Sequence, residues 1–391
     1  MIDKITSLTG DNNSQNSVTT TVVTQTKTSL PITADIIKER LETLPKTQKI
    51  KEGNTNKKIK IAINGFGRIG RQFFKVAFIH PGMEIVAIND LGDIENLAYL
   101  LEFDTVYGHY DKEVKANKDS LEVDGKVIKF FSGPDPAKLP WKELQVDIVV
   151  ESTGVFTTFE KAKSHLDAGA KRVVISAPAK DEETPTSTPN INLDALTKSK
   201  ITSNASCTTN SATPLAVILE NSVGIEAAVL NTVHGYTASQ MLVDGPVKKD
   251  FRRGRAAAQN MVPTSSGAAI ATEKAVSQIK GKMDAMAIRV PVPSGSILDF
   301  TFIAKRETSV EEINKILKDA AQKNEWQGIF TVTDKPLVSS DILKNPHGSV
   351  ADLDLTRVVG KKLVKVMAWY DNEWGYVNML LKHVQTVGKL I

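Results

Sequence analysis

The sequence predicts an α/β fold: a doubly wound, Rossmann-type parallel sheet, followed by an α+β domain with a mostly antiparallel sheet. Three observations predict it. Short apolar runs alternate with helical stretches from residue 59 to 176, the pattern of strands joined by crossover helices. A glycine-rich turn, Gly65-Phe-Gly67-Arg-Ile-Gly70, joins the first run to the first helix. Beyond Cys207 the strands lengthen, at 227–233, 285–291, 298–305 and 329–333, with a helix at 310–322. The expected division is an extension over 1–57, a dinucleotide-binding domain over 58–206 completed by a C-terminal helix within 375–391, and a catalytic domain over 207–374.

The extension is polar, rich in Ser, Thr, Asn and Gln, and lacks hydrophobic periodicity over its first thirty residues. No apolar h-region follows Lys4, and the first arginine is Arg40, so neither a secretory signal nor a transit peptide is expected. Apolar residues at 37, 41 and 44 suit a short helix over 34–44. Residues 1–58 hold nine Lys/Arg against six Asp/Glu, which accounts for most of the net charge of +4. What remains is near neutral and gives no case for a nucleic-acid surface. No apolar run approaches membrane-spanning length. A single cysteine excludes an intrachain disulfide framework and a cysteine-based metal cluster, and it fits a reducing compartment.

The run 59–64 reads as a buried parallel strand. Glycines spaced as at 65, 67 and 70 permit a tight turn, close approach of backbone to a pyrophosphate, and helix-on-strand packing. The second strand, 85–90, ends in Asp90, where a carboxylate accepts hydrogen bonds from adenine-ribose hydroxyls. The competing reading is an ordinary βαβ turn with a surface aspartate. A helix over 94–103, a hairpin turning at Val123-Asp-Gly-Lys126, a strand over 147–153, a helix over 159–168 and a strand over 172–176 follow. The run 181–192 holds two prolines and reads as a loop. The stretch 237–260 has little periodicity.

Cys207 falls between a short strand ending at Thr202 and an apolar helix over 211–220, near that helix's N-terminus. There the partial positive charge of the helix lowers a thiol pKa and makes a nucleophile. Free cysteines are more often small core residues, but Ser206, Thr208, Thr209 and Asn210 make this a poor context for a core thiol. A strand over 227–233 delivers His234. The other histidines, His80, His109, His165, His347 and His383, have no comparable context and are expected at the surface.

With Ala205-Ser-Cys-Thr-Thr-Asn210 and Asn64-Gly-Phe-Gly-Arg-Ile-Gly70, the sequence resembles phosphorylating glyceraldehyde-3-phosphate dehydrogenase. Further matching stretches are Asn89-Asp90, Glu151-Ser-Thr-Gly154, Thr232-Val-His234, Arg253-Gly-Arg-Ala-Ala-Ala258, Arg289-Val-Pro291 and Trp369-Tyr-Asp-Asn-Glu-Trp-Gly375. The resemblance spans roughly 59–391 and implies a glycolytic, cytoplasmic NAD enzyme, usually a homotetramer with the segment around 237–260 between subunits. It implies Cys207 as nucleophile and His234 as its base, passing through a thiohemiacetal and a thioester that inorganic phosphate cleaves. Gly65, Phe66, Gly67, Arg68, Ile69, Gly70, Asp90, Thr153 and Asn372 are implied for NAD. Thr237 and Arg289 are implied for the substrate phosphate, Ser206, Thr208, Ser266 and Gly267 for the attacking phosphate, and Arg253 between the two. No metal is implied. Leu91 and Pro246 match NAD-preferring members. The chain departs from the family at Ser211, where a second cysteine is usual, at Ser265-Ser-Gly267, at 186–192 and in the extension. The alternatives are an erythrose-4-phosphate dehydrogenase and a non-catalytic binding or scaffold protein on the same fold.

Overall fold

The structure, a computed structural model, describes residues 58–248 and 250–391. The helix expected at 34–44 and the rest of the extension lie outside them.

The alternating first half forms the predicted sheet. Strands β1 (Ile59–Asn64), β2 (Met83–Asn89), β3 (Phe103–Asp104), β4 (Gly108–His109), β5 (Val114–Asn117), β6 (Ser120–Val123), β7 (Lys126–Phe131), β8 (Ile148–Glu151), β9 (Arg172–Ile175) and β10 (Ile201–Ser203) precede Cys207. All but β3 and β4 join one sheet, in the order β10-β9-β8-β1-β2-β7-β6-β5. Pairing is parallel from β10 to β7, and β6 and β5 add antiparallel at the edge. The strand order reverses about β1, between β8 and β2, which is where open α/β sheets hold ligands at the carboxyl ends of their strands. The expected hairpin turns at Asp124 and Gly125, both at positive φ, as a two-residue turn between right-twisted strands requires.

Helices α1 (Arg68–Phe78), α2 (Ile94–Glu102), α3 (Phe159–Asp167) and the short α4 (Asp194–Lys198) cross between strands, and α5 (Cys207–Ser222) leaves the sheet. Strands β11 (Ile225–Gly235), β12 (Val262–Ser265), β13 (Met283–Val290), β14 (Ser296–Ala304), β15 (Phe330–Thr333), β16 (Ser349–Val359) and β17 (Leu363–Tyr370) form the second sheet, ordered β12-β13-β11-β14-β17-β16-β15. Its pairings are antiparallel except β11 with β13 and β15 with β16. Helices α6 (Ala268–Ala275) and α7 (Val310–Ala321) cover it, and α8 (Trp374–Gly388) returns to the first sheet. Tyr376, Val377, Leu380, Val384 and Val387 of α8 share a core with Phe73, Phe74 and β1.

Two expectations need correction. The segment 181–192 is not a free loop. Thr186 bridges Ser203 in parallel, extending the sheet beyond β10, and Thr184, Thr186, Ser187 and Thr188 are buried. The Ser187 hydroxyl donates to Ile191 O at 2.9 Å and the Thr188 hydroxyl pairs with that of Thr213 at 3.0 Å, so polarity concealed a packed edge. The histidines are not all at the surface: His109 is exposed and His80 and His347 are half-buried, but His165 and His383 are buried. Among the described residues no helix is long and apolar enough to cross a membrane.

Candidate active site

Backbone geometry sets the nucleophile. Ala205 stands at φ +58°, a left-handed conformation unusual for a residue with a Cβ, and turns the chain from β10 into α5. The turn is held on both sides: Ala205 N donates to Ser203 Oγ at 3.0 Å, and Tyr376 of α8 donates its hydroxyl to Ala205 O at 3.1 Å. Ser206 caps α5, its Oγ accepting from Thr209 N at 3.1 Å. Cys207 is therefore the first residue of the helix and packs against both large cores, where the two sheets meet.

Strand β11 brings His234 to it, with Sγ 3.3 Å from Nε2. The parallel register of β11 and β13 places Arg289 directly beside His234. Arg289 Nη1 is 2.6 Å from His234 Nδ1 and 3.1 Å from Gly235 O, while Nδ1 itself is 2.7 Å from Gly235 O. A guanidinium only donates. When Arg289 donates to Nδ1, the imidazole proton sits on Nε2 and faces the sulfur. When Nδ1 donates to Gly235 O, Nε2 is an acceptor and can serve as base. Burial and the Arg289 charge together pull the His234 pKa down to about 3. Burial also pushes the Cys207 thiol up, opposed by Arg289 and the Thr208 N–H. The expected lowering by the helix end is thus outweighed by desolvation, and the resting pair is a thiol and a neutral imidazole.

Tyr370, which sequence reasoning passed over, supports the pair. Its buried hydroxyl bridges Thr208 Oγ1 at 2.9 Å and Thr232 Oγ1 at 2.7 Å, and its ring meets the His234 ring edge to face. No periodicity marks it; its place at the end of β17, opposite Ser296 of β14, is a property of the sheet.

The other anion-site residues are partly brought together. Arg253 Nε donates to Thr264 Oγ1 at 2.9 Å on β12, which pairs with the strand of Arg289. Ser266 Oγ accepts from Ala268 N at 3.2 Å, and Gly267 caps α6 without a side-chain bond. Thr237 pairs with Ser239 at 3.0 Å. The hydroxyls of Ser206 and Thr208 are occupied by Thr209 and Tyr370.

The glycine turn lies at the carboxyl end of β1. Gly65 has φ +94°, and a Cβ there would lie 2.6 Å from Thr153 N; one on Gly70 would lie 2.1 Å from Gly65 O. Gly67, by contrast, faces open space and caps α1 with no side-chain bond, so the helix's first N–H groups stay available to phosphate. Phe66 and Ile69 set the turn's packing: Phe66 is fully buried and Ile69 lies against the same core. Asp90 is fixed by the backbone, accepting from Phe66 N at 2.6 Å and Gly92 N at 2.8 Å. The Arg68 guanidinium is committed to Asp104 and Glu373, which leaves its backbone to face a ligand. Asn372 Oδ1 accepts from Gly295 N at 3.0 Å and Ser296 Oγ at 2.8 Å; among the described residues its Nδ2 has no partner and is free to donate. Exposed Thr153 sits on the rim, its N donating to Glu151 at 2.8 Å. Beneath it runs a buried chain that the sequence did not reveal. Trp141 Nε1 donates to His165 Nδ1 at 3.0 Å, so His165 Nε2 donates to Glu151 at 3.1 Å, and Glu151 accepts from Asn64 at 2.6 Å. The cradle fits a dinucleotide.

A dinucleotide cradle at a strand-order reversal, facing a cysteine–histidine pair on a second domain, defines a dinucleotide-dependent dehydrogenase of the covalent, cysteine type. Comparison with known proteins agrees. Residues 59–159 match the family model of the glyceraldehyde 3-phosphate dehydrogenase NAD binding domain, and residues 206–372 match that of its C-terminal domain. The chain is 47% identical to glyceraldehyde-3-phosphate dehydrogenase 2 of Streptomyces avermitilis over 334 residues, 84% of this chain and 98% of that one. It is 45% identical to glyceraldehyde-3-phosphate dehydrogenase of Zymomonas mobilis over 336 residues, 85% and 99% of the two chains. To glyceraldehyde-3-phosphate dehydrogenase 2 of Bacillus subtilis it is 45% identical over 332 residues, 84% and 97%. The chain belongs to the glyceraldehyde-3-phosphate dehydrogenase family.

Proposed function

We propose that this chain catalyses the NAD-dependent, phosphorylating oxidation of D-glyceraldehyde 3-phosphate to 1,3-bisphosphoglycerate. The observation that carries the reading is the 3.3 Å approach of Cys207 Sγ to His234 Nε2 at the start of α5, with Arg289 alongside. The Cys207 sulfur attacks the aldehyde carbon as its proton passes to Nε2, giving a thiohemiacetal. The Cys207 N–H, one of the unpaired donors opening α5, and the imidazolium stabilise the oxygen, to which the imidazolium then gives its Nε2 proton, forming the hydroxyl and leaving Nε2 free. His234, with Nδ1–H held by Gly235 O, then takes the hydroxyl proton as the substrate is oxidised to a thioester on Cys207. Phosphate attacks the thioester carbon, the acyl phosphate leaves, and the sulfur regains its proton.

NAD supplies the two-electron acceptor. Gly65, Phe66, Gly67, Arg68, Ile69 and Gly70 hold its phosphates through backbone, Asp90 its adenine ribose, and Thr153 with the free Nδ2 of Asn372 its nicotinamide end. Thr237 and Arg289 receive the substrate phosphate, and Ser206, Thr208, Ser266 and Gly267 the attacking phosphate, with Arg253 between them. For Ser206 and Thr208 the contact requires the hydroxyls to leave their present partners. In this reading the dinucleotide-binding domain runs over 58–206 with α8, and the catalytic domain over 207–374.

The assembly we propose is a homotetramer, in the cytoplasm. What supports it is apolar surface left uncovered on the segment after His234: Leu242 is 78% exposed, Val243 71% and Phe251 84%. The test of function is NADH absorbance with glyceraldehyde 3-phosphate, with and without inorganic phosphate. Phosphate-dependent turnover is expected. Turnover with erythrose 4-phosphate alone, or none with either aldehyde, would overturn the assignment.

A further inference from the structure

At the opposite end of β1 from the glycine turn, a cleft of about 690 Å³ opens between the two halves of the enzyme. Six residues of strand separate the two, about 20 Å, so the cleft is remote from the dinucleotide cradle. Its walls come from both sides. Ile59 and Met83 start two strands of the parallel sheet, Lys382 and Lys389 lie on and just beyond α8, and Gln327 and Ile329 lead into β15 of the second sheet. Its volume is that of a small-molecule site, and such sites favour domain boundaries.

The cleft is cationic. Lys58, Lys171, Lys382 and Lys389 line it, against Asp147 and, with the chain end counted, the carboxylate of Ile391. Lys171 is held by Asp147 at 2.7 Å. Among the described residues, no carboxylate lies within salt-bridge distance of Lys58, Lys382 or Lys389. Lys382 is the telling one. Its ammonium is half-buried, and burial lowers its pKa with no anion to offset the cost. A Cβ on Gly328 would lie 3.1 Å from Lys382 Nζ, so a glycine at positive φ keeps room for that charge. Between the lysines the accessible apolar lining is Ile59 and Ile391, with Met83 and Ile329 buried beneath it and the amides of Asn190, Gln327 and Gln385 at its edge.

We propose that this cleft is a second ligand site, which takes a small organic polyphosphate. Its phosphates lie against Lys382, Lys389 and Lys58, and its uncharged body covers Ile59 and Ile391. The apolar floor argues for an organic body, since a bare anion would have no use for it. The site is independent of the chemistry at Cys207.

The test is titration calorimetry of ATP into the full chain saturated with NAD, which keeps the cradle filled. One site per chain is expected, with affinity falling at least tenfold in Lys382→Ala and in Lys389→Glu; the latter alters an exposed residue and leaves folding untouched. Tripolyphosphate should bind at least tenfold more weakly than ATP. In both variants kcat/KM without ATP should stay within twofold of the parent. Absence of ATP binding to the NAD-saturated chain, binding unchanged by both variants, or tripolyphosphate binding as tightly as ATP would each overturn the proposal.

Discussion

Arg289 Nη1 lies 2.6 Å from His234 Nδ1, and both nitrogens reach one acceptor, the carbonyl of Gly235. Only one of them can donate there without opposing the other. The charge that crowds the imidazole also holds it neutral. Arg289→Leu should therefore raise the His234 pKa from about 3 toward the ordinary histidine range and push the Cys207 thiol higher still, since its nearest cation is gone. Arg289→Lys should shift both less. An NMR titration of the imidazole reads the first effect, and the pH profile of iodoacetamide alkylation reads the second. An imidazole titration that does not move in Arg289→Leu would refute the electrostatic coupling.

Cys207→Ala and Cys207→Ser should abolish aldehyde oxidation, because the chain has no other thiol. His234→Asn should slow turnover about a hundredfold or more, the usual scale for losing a general base. It should also slow alkylation of Cys207, whose sulfur it faces at 3.3 Å. Stopped-flow NADH formation and alkylation rates check these; an unaltered alkylation rate would mean the pair is not coupled.

Asp90 is held by two backbone N–H groups, so its carboxylate cannot swing away from an approaching anion. NADP carries a 2′-phosphate where NAD has the hydroxyl that such a carboxylate binds. The expected outcome is a strong preference for NAD in kcat/KM, reduced in Asp90→Gly. A wild-type ratio near one would remove Asp90 from the role.

His383 is buried, accepting from Thr202 at 2.9 Å on Nε2 and donating from Nδ1 to Ser187 O at 3.2 Å, and burial lowers its pKa to about 4. The unfolded chain binds this proton near pH 6.5 and the folded chain does not. Stability is therefore complete above about 6.5 and falls as pH drops toward 4, by roughly 2 kcal/mol at pH 5 from this residue. His234 adds in the same direction. Denaturant midpoints measured from pH 7 to 5 should fall less steeply in His383→Gln than in the parent; parallel slopes would count against the assignment.

Leu242→Asp or Phe251→Asp, on the exposed apolar segment, should lower the sedimentation coefficient if that segment packs between subunits. A parent chain that sediments as a monomer would end the tetramer reading.

Much of this architecture was legible because it rests on local signals. The strand–glycine–helix turn at 59–78 is written in consecutive residues, and so is the hairpin at Asp124-Gly125. Strands β16 and β17 drew no expectation, although Leu363–Tyr370 alternates between buried and half-exposed positions once its partners are known. Polar edges and buried histidines were misread for one reason. The Thr188 hydroxyl and the rings of His165 and His383 are inside because distant groups satisfy them, and those partners are 14 to 196 positions away. The Cys207–His234 contact was reachable from motif alone. The Arg289–His234 contact depends on a strand register that no local pattern encodes.

The bond from Tyr376 to the Ala205 carbonyl spans 171 positions and ties the turn before the nucleophile to the helix that ends the chain. During synthesis Cys207 is made long before Tyr376, so this support for the turn before the thiol forms only after residue 376 has left the ribosome. Before then the turn at Ala205 is held from one side only, by Ser203. Ribosome-bound chains stopped short of residue 374 should show the alkylation pH profile of an unfolded peptide, not the profile of the folded chain, which burial shifts upward; a folded-type profile in them would contradict this order.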